Sequence, residues 1–332
     1  MPKFKIHHIT KYTYDFPVRD STNQILLYPV NDGFQQVISH KLKISGNPLI
    51  ETYCDYYGNE VGAFMKVDLH TELCIDSRLE VNTLPVPVLK DNHPKEEQWE
   101  QLKSIQYKVP FIDFLTQEAA DSLVRITEIA QHHNLKTTPL GEAKRFMELI
   151  YTHFKYIKGV TTAESTLDEV WKLKAGVCQD FAHVLLAMLR AINIPARYVS
   201  GYICPCENEM RGEGATHAWV EAYIPFYGWL GLDPTNNCIV DDLHVRLAVG
   251  RNFSDCSPVR GTFKGVAKQK LEVGVSVSYE NNSSLEPLKE PALFEENTPA
   301  TEDDSDSSKN ETKKLIQNNS YQKYLEMMQQ QQ

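Results

Sequence analysis

Residues 176–190 read GVCQDFAHVLLAMLR. A turn of small residues leads into a cysteine, and the cysteine leads into an apolar pattern of helical period. Phe181, Val184, Leu185, Met188, Leu189 and Ile192 recur at i, i+3, i+4, i+7, i+8 and i+11, the stripe of a helix that buries one face. Pro195 follows and ends it. Cys178 therefore stands in the first helical turn, where unpaired N–H groups and the positive end of the helix dipole stabilise an anion. A structural cysteine needs no such place, whereas a nucleophilic thiolate gains from it. Gly176 lets the chain turn tightly there and lets another backbone or a substrate come close.

A nucleophile of this kind needs a base, and the chain has 11 histidines. His183 shares the helix with Cys178, but i to i+5 spacing carries it well round the axis. His217 has a better context. In GATHAWVEAY the alternation puts His217, Trp219, Glu221 and Tyr223 on one strand face and Ala218, Val220 and Ala222 on the other. The next strand, GWLGLDPTNN, ends at Asp233, a carboxylate that would orient the imidazole and stabilise its charged form. His217 follows Cys178 by 39 residues and Asp233 follows His217 by 16.

Outward from this segment, QEAADSLVRITEIAQHH and GEAKRFMELIYTHF carry apolar residues at helical spacing, among them Phe146, Leu149, Ile150 and Phe154. ARYVSGYIC, THAWVEAYIP, GWLGLDPT and a final LEVGVSVSY alternate as strands, the last with Leu271, Val273, Val275, Val277 and Tyr279 on one face. These elements predict an α+β core over residues 91–280. From Lys3 to about Pro87 short β-branched and aromatic runs alternate with turn clusters such as NDG, SGNP and YGNE, which predicts an N-terminal antiparallel β domain over residues 1–90. His7 and His8 are neighbours there and face opposite sides of a strand, so no site is expected. TLPVPVLKDNHPKEEQ reads as the connection between the two. Residues 281–332 are rich in Asn, Ser, Glu, Asp and Gln and are expected to be a disordered acidic and polar tail.

The whole chain has 332 residues, 42% of them hydrophobic, with a formal net charge of −10. That length suits about two domains. The acidic balance argues against a nucleic-acid partner, which calls for clustered Lys and Arg. Seven cysteines, an odd number spread thinly, fit reduced thiols better than a disulfide framework. The opening MPKFKIHHITKYTY lacks the apolar run of a secretory signal, and about 18 consecutive apolar residues occur nowhere. A cytoplasmic protein without a membrane segment is expected.

The run GVCQDFAHVLLAMLRAINIPARYVSGY, followed by THAWVEAYIPFYGWLGLDPTNN, resembles the transglutaminase-like superfamily, and in particular its bacterial members with a β-rich N-terminal region. LAVGRNFSDCSPVRGTFKG and the opening KFKIHHITKYTYDFPV extend the resemblance over most of residues 1–280. It implies a papain-like fold with Cys, His and Asp in that chain order. Cys178 matches the nucleophile in G-V-C, His217 the histidine in T-H-A-W and Asp233 the carboxylate in L-D-P-T.

The implied chemistry is acyl transfer through a thioester on Cys178, from a protein or peptide substrate that presents glutamine or another amide. No cofactor is implied. A cysteine peptidase or amidohydrolase is the first reading, a protein-glutamine γ-glutamyltransferase that crosslinks is the second, and a non-catalytic scaffold is the third. An oxyanion hole is required. The backbone N–H of Cys178 is one donor, and Tyr156, Trp171 and Gln179 are candidates for the other. Trp219 and Trp229 either pack the core or wall the cleft, and Asp180 suits a cap on the helix's first turn. Cys204 and Cys206 lack the spacing of a zinc pair, and no D-x-[DN]-x-[DN]-G calcium loop occurs, so no metal is expected. The oligomeric state is left open.

Overall fold

The computed structural model describes residues 2–87, 89–132, 136–204, 210–211, 216–280 and 290–295. In chain order the strands and helices are β1 (Lys3–Ile25), β2 (Gln35–Ile44), β3 (Ile50–Cys54), β4 (Glu60–Lys66), β5 (His70–Thr83), α1 (Lys95–Ile105), α2 (Leu123–Gln131), α3 (Pro139–His153), β6 (Lys155–Tyr156), α4 (Leu167–Leu173), β7 (Ala175–Gly176) and α5 (Cys178–Ala191). After these come β8 (Ala196–Ile203), β9 (Thr216–Ile224), β10 (Gly228–Asp233), β11 (Cys238–Ile239), β12 (His244–Gly250), α6 (Phe253–Cys256), β13 (Val259–Lys264), β14 (Gln269–Glu280) and β15 (Phe294–Glu295). The result is the α+β class expected. No described helix is long and apolar enough to cross a membrane.

The N-terminal sheet is organised by β1, which changes partners along its length. Its first half pairs antiparallel with β5 on one side and β14 on the other, and its second half pairs with β4 and β13. Register irregularities between Thr13 and Val18 and between Arg19 and Thr22 mark the change, and such bulges bend a strand and increase its twist. Phe4, Ile6, Ile75, Leu79 and Val81 are fully or almost fully buried beneath it.

The second sheet runs β11-β10-β9-β8-β12. Helix α5 packs on the face of β9 that carries Ala218, Val220 and Ala222, through Phe181, Val184, Leu185, Met188 and Leu189, the stripe read from the sequence. Small residues on the strand let the helix lie close. Arg190, buried near the end of α5, donates to the carbonyls of Phe114, Thr116, Ala196 and Arg251. These bonds tie the end of the helix to the surrounding loops. Tyr202, Cys204, Val245 and Leu247, from the segments of β8 and β12, join the core of the N-terminal sheet, so the two sheets share a buried seam.

Two assignments change. The strand at 271–279, assigned from the sequence to the 91–280 core, is β14 and pairs residue by residue with β1, from Lys3↔Glu280 to Tyr14↔Gln269. Its alternation shows a strand but cannot show which edge it will occupy. The chain therefore completes its N-terminal sheet only at its far end. Within the 281–332 segment, Phe294–Glu295 forms β15 against Glu272 and Val273 of β14, so that part is ordered. The expectation for 281–289 and 296–332 lies outside the described residues.

Candidate active site

Helix α5 begins at Cys178, after an extended Val177 with φ −118° and ψ −175°. The buried Asp180 folds back over this turn. Its Oδ2 accepts from the Val177 N–H at 2.7 Å and from the Thr161 hydroxyl at 2.6 Å. Burial pushes the Asp180 carboxyl up, and the two hydrogen bonds oppose that. Gly176 is needed here because a Cβ would collide with the Asp180 carboxylate. The first intrahelical bond runs from the Phe181 N–H to the Val177 carbonyl, so with the Val177 N–H occupied the N–H groups of Cys178, Gln179 and Asp180 are those the helix start leaves without an intrahelical acceptor. Asp180 thus caps the turn, as its position suggested. Gln179 Nε2 donates to the Ala163 carbonyl at 3.0 Å and ties the preceding loop to the helix start.

His217 is the second residue of β9 and lies opposite Gly201 of β8. Its Nε2 donates to Asp233 Oδ2 at 2.8 Å, with both side chains fully buried. The other carboxylate oxygen accepts from the Thr235 N–H at 2.8 Å and the Asn236 N–H at 3.3 Å, and Asn236 Nδ2 donates to Oδ2 at 2.8 Å. His217 Nδ1 has no hydrogen-bond partner of well-formed geometry among the described residues, and it is the ring nitrogen left to face the Cys178 thiol. Burial disfavours the charged ring. The Asp233 charge and hydrogen bond, together with Cys178, overcome it and His217 is pushed up to about 10. Asp233 resists its own burial in the same way, because His217 and His244 hold its carboxyl well below the usual range.

His244 was not singled out in the sequence. It starts β12, with Nε2 at 3.4 Å from Asp233 Oδ2 and Nδ1 at 3.1 Å from Asp241 Oδ1. A ring carrying two protons would donate to both carboxylates, although the Asp241 N–H also points at Nδ1, at 3.4 Å. Burial works against that charge, but the bonds to Asp233 and Asp241 raise His244 above its ordinary value. One histidine in HVRLAVG gives no local signal, since its partners come from two other segments. His217, Asp233 and His244 bring their donor atoms within 4.8 Å of one another. A tetrahedral ion would hold neighbouring ligand atoms about 3.3 Å apart, whereas His217 and Asp233 are 2.8 Å apart. That pair has the geometry of a hydrogen bond.

Cys178, Gln179 and His217 open into one cleft of about 590 Å³. The other sequence candidates fall elsewhere. Tyr156 is half-buried on β6 beside Gly176 of β7; burial, then the charges of Cys178 and Asp233, push its hydroxyl up. It stands near the site without lining the cleft. Trp171 packs on Phe154 at 5.9 Å and carries the Lys174 ammonium 2.7 Å from its ring centre, a cation–π contact that occupies the ring. Trp171 is not among the described residues that line the cleft. Trp219 is buried against the two histidines, 6.2 Å from His217 and edge-on at 5.3 Å from His244. It braces the imidazoles from the core. Trp229 packs with Phe111, Phe114 and Tyr223 under the Arg197 guanidinium. Cys204 is buried, and Cys206, Gly212 and Gly214 lie outside the described residues. His8, from which no site was expected, lines the cleft from the N-terminal sheet.

Comparison with known proteins agrees with this architecture. Residues 127–234 match the model of the transglutaminase-like superfamily, and residues 4–82 match that of the bacterial transglutaminase-like N-terminal region. An uncharacterised protein of Mycobacterium tuberculosis is 34% identical over 293 residues, which is 83% of this chain and 92% of that protein. One from Mycobacterium leprae is 31% identical over 287 residues, 84% and 99% of the two chains. A protein-glutamine gamma-glutamyltransferase of Pseudomonas aeruginosa is 38% identical over only 80 residues, 23% of this chain and 12% of that enzyme. Among solved structures, a candidate cysteine protease of Cytophaga hutchinsonii shares the fold with a TM-score of 0.67, at 21% identity over 89% of this chain and 97% of that one.

Proposed function

The chain belongs to the transglutaminase-like superfamily, and from that premise we propose that it is a cysteine-dependent acyl-transfer enzyme, acting on amide or peptide carbonyls as a peptidase or amidase. The observation that carries this reading is a buried His217 with one ring nitrogen on Asp233 and the other directed to a thiol at a helix start.

The steps follow from those positions. The Cys178 sulfur, as thiolate, attacks the carbonyl carbon and a C–S bond forms. Negative charge passes to the carbonyl oxygen, where the Cys178 backbone N–H donates to it. His217, protonated at neutral pH with Asp233 beside it, gives its proton to the leaving nitrogen as the C–N bond breaks. A thioester and a free amine result. Water then attacks the thioester, neutral His217 takes its proton, and the thiolate leaves with the acid released.

A primary amine in place of water would give transfer instead. The shorter similarity to a protein-glutamine gamma-glutamyltransferase favours that second reading. Incubating the protein with a glutamine-containing peptide and an isotopically labelled primary amine separates the two by mass: deamidation or cleavage supports the hydrolase, and the amine adduct supports transfer. Neither product from the wild-type chain, or equal turnover by Cys178→Ala, would sink the reading.

A further inference from the structure

We propose that the N-terminal sheet forms the acyl-donor wall of the cleft, and that the substrate presents an uncharged, apolar group beside the reacting carbonyl. This inference rests on the acyl-transfer reading of Cys178.

The wall follows from strand geometry. Alternate residues of β1 point to one face, and Phe4 and Ile6 on that face are completely buried in the N-terminal core. Two and more residues on, the same face presents His8, Thr10 and Tyr12 to the cleft. Strand β14 supplies their cross-strand neighbours, Thr10↔Val273 and Tyr12↔Leu271, and Val273 and Leu271 line the cleft too. The surface that builds the N-terminal core thus continues as a wall facing the thiol. A catalytic core alone would leave this side of the site open.

Its chemistry excludes charge. Apart from the reacting pair Cys178 and His217, the charged side chains among the described lining residues are Lys158 and Glu164, both exposed and neither of them on the β1–β14 wall. His8 is buried, with Nδ1 hydrogen-bonded to the Tyr202 hydroxyl at 2.8 Å and Nε2 to the Thr10 hydroxyl at 3.1 Å. Burial, then His7, lower it to about 4, so it is neutral at physiological pH. A charged group pushed against this wall would lose its water without gaining a counter-ion. An apolar group would meet Tyr12, Leu271 and Val273.

One polar feature is left unpaired. The Ser200 hydroxyl, on a residue only 6% exposed, has no partner among the described residues, and Ser200 lines the cleft. Buried hydroxyls are normally hydrogen-bonded. A peptide group flanking the reacting carbonyl would give it a partner. At about 590 Å³ the cleft is larger than an amide requires and falls within the size range of small-ligand sites.

The test is the alkylation of Cys178 in the full chain by three haloacetamides, followed by peptide mass mapping. In each the thiolate displaces chloride from the CH₂ carbon: a C–S bond forms, the C–Cl bond breaks, and chloride leaves. The reagents are 2-chloroacetamide, its N-benzyl derivative and the anionic N-(chloroacetyl)glycine, each rated against glutathione to remove intrinsic reactivity. The N-benzyl reagent is expected to gain at least about tenfold over 2-chloroacetamide at Cys178, and the anionic one to lose. Leu271→Asn and the near-isosteric Val273→Thr should abolish most of the benzyl gain relative to 2-chloroacetamide, and a cooperative thermal unfolding transition in each shows that the variants fold. Equal relative rates for all three reagents in the wild-type chain would overturn the wall, as would a benzyl gain that survives both substitutions. Inertness of Cys178 to the smallest reagent would overturn its role as nucleophile, and the wall with it.

Discussion

His244 Nε2 lies 3.4 Å from Asp233 Oδ2, the same oxygen that accepts from His217 at 2.8 Å. Two buried imidazoles therefore share one carboxylate, and Asp241 engages the far side of His244 at 3.1 Å. From the surface inward the groups alternate as Asp241, His244, Asp233 and His217. The two rings are 6.1 Å apart; His217 opposes the charge on His244, while Asp233 favours both.

Replacing His244 by Gln leaves Asp233 a neutral donor in place of the second imidazole, so His217 no longer shares the carboxylate charge. The alkaline limb of kcat/KM, where His217 loses its proton, should move upward in His244→Gln. A purely structural histidine would lower activity at every pH and leave the limb in place.

The pair of His217 and Asp233 predicts a pH window of stabilisation. Asp233 is lowered by folding, so its contribution is present above the unfolded carboxylate value of about 4 and is lost as pH falls through the folded value. His217 is raised to about 10, so its contribution is complete below about 6.5 and is lost as pH rises through 10. The difference in Tm between wild type and His217→Ala should be greatest between about pH 4 and 6.5 and shrink steadily toward pH 10. A difference that grows over that alkaline range would contradict the assignment of an imidazolium.

Asp180 holds the turn that presents Cys178. Asp180→Ala leaves the Val177 N–H and the Thr161 hydroxyl without their acceptor, a loss of about 1 to 3 kcal/mol in stability for a buried group. Because the thiol's position depends on that turn, kcat should fall by more than KM changes. Asp180→Asn keeps one acceptor oxygen at the same place and should restore part of both. Equal damage by the two variants in Tm and in kcat would mean that the carboxylate acts by its charge instead of by clamping the turn.

The parts of this arrangement that were legible in the sequence are local. The stripe from Phe181 to Ile192 dictates a helix, the turn before it places Cys178 at the start, and alternation in THAWVEAY puts His217 and Trp219 on the face away from Ala218 and Val220. Asp233 follows as the end of the next strand. What stayed hidden depends on chain segments far apart. His244 gains meaning only from Asp233 and Asp241, and the cleft wall forms only when residues 271–273 return to residues 10–12. Trp171 had the right type for an oxyanion donor, but it packs beside Lys174 and Phe154, outside the cleft lining, and no local pattern marks such a placement.

Acid should destabilise the fold through a second set of histidines. The Phe253 N–H donates to His183 Nε2 at 3.2 Å, so that nitrogen must be without a proton in the folded chain. Burial, partly opposed by Glu118 and aided by Arg190, lowers His183 to about 4, and burial with His7 lowers His8 to about 4. In the unfolded chain both rings take up protons near 6.5. Between about pH 6.5 and 4 the unfolded state therefore binds more protons, and stability falls as pH falls. His183→Gln, whose side-chain oxygen accepts from the Phe253 N–H without titrating, should flatten the decline of Tm over that interval while changing Tm little at pH 8. The decline should flatten further when His8→Gln is added, since Gln again offers a donor and an acceptor to Tyr202 and Thr10. A slope unchanged in the double variant would show that carboxylates alone set the acid limit.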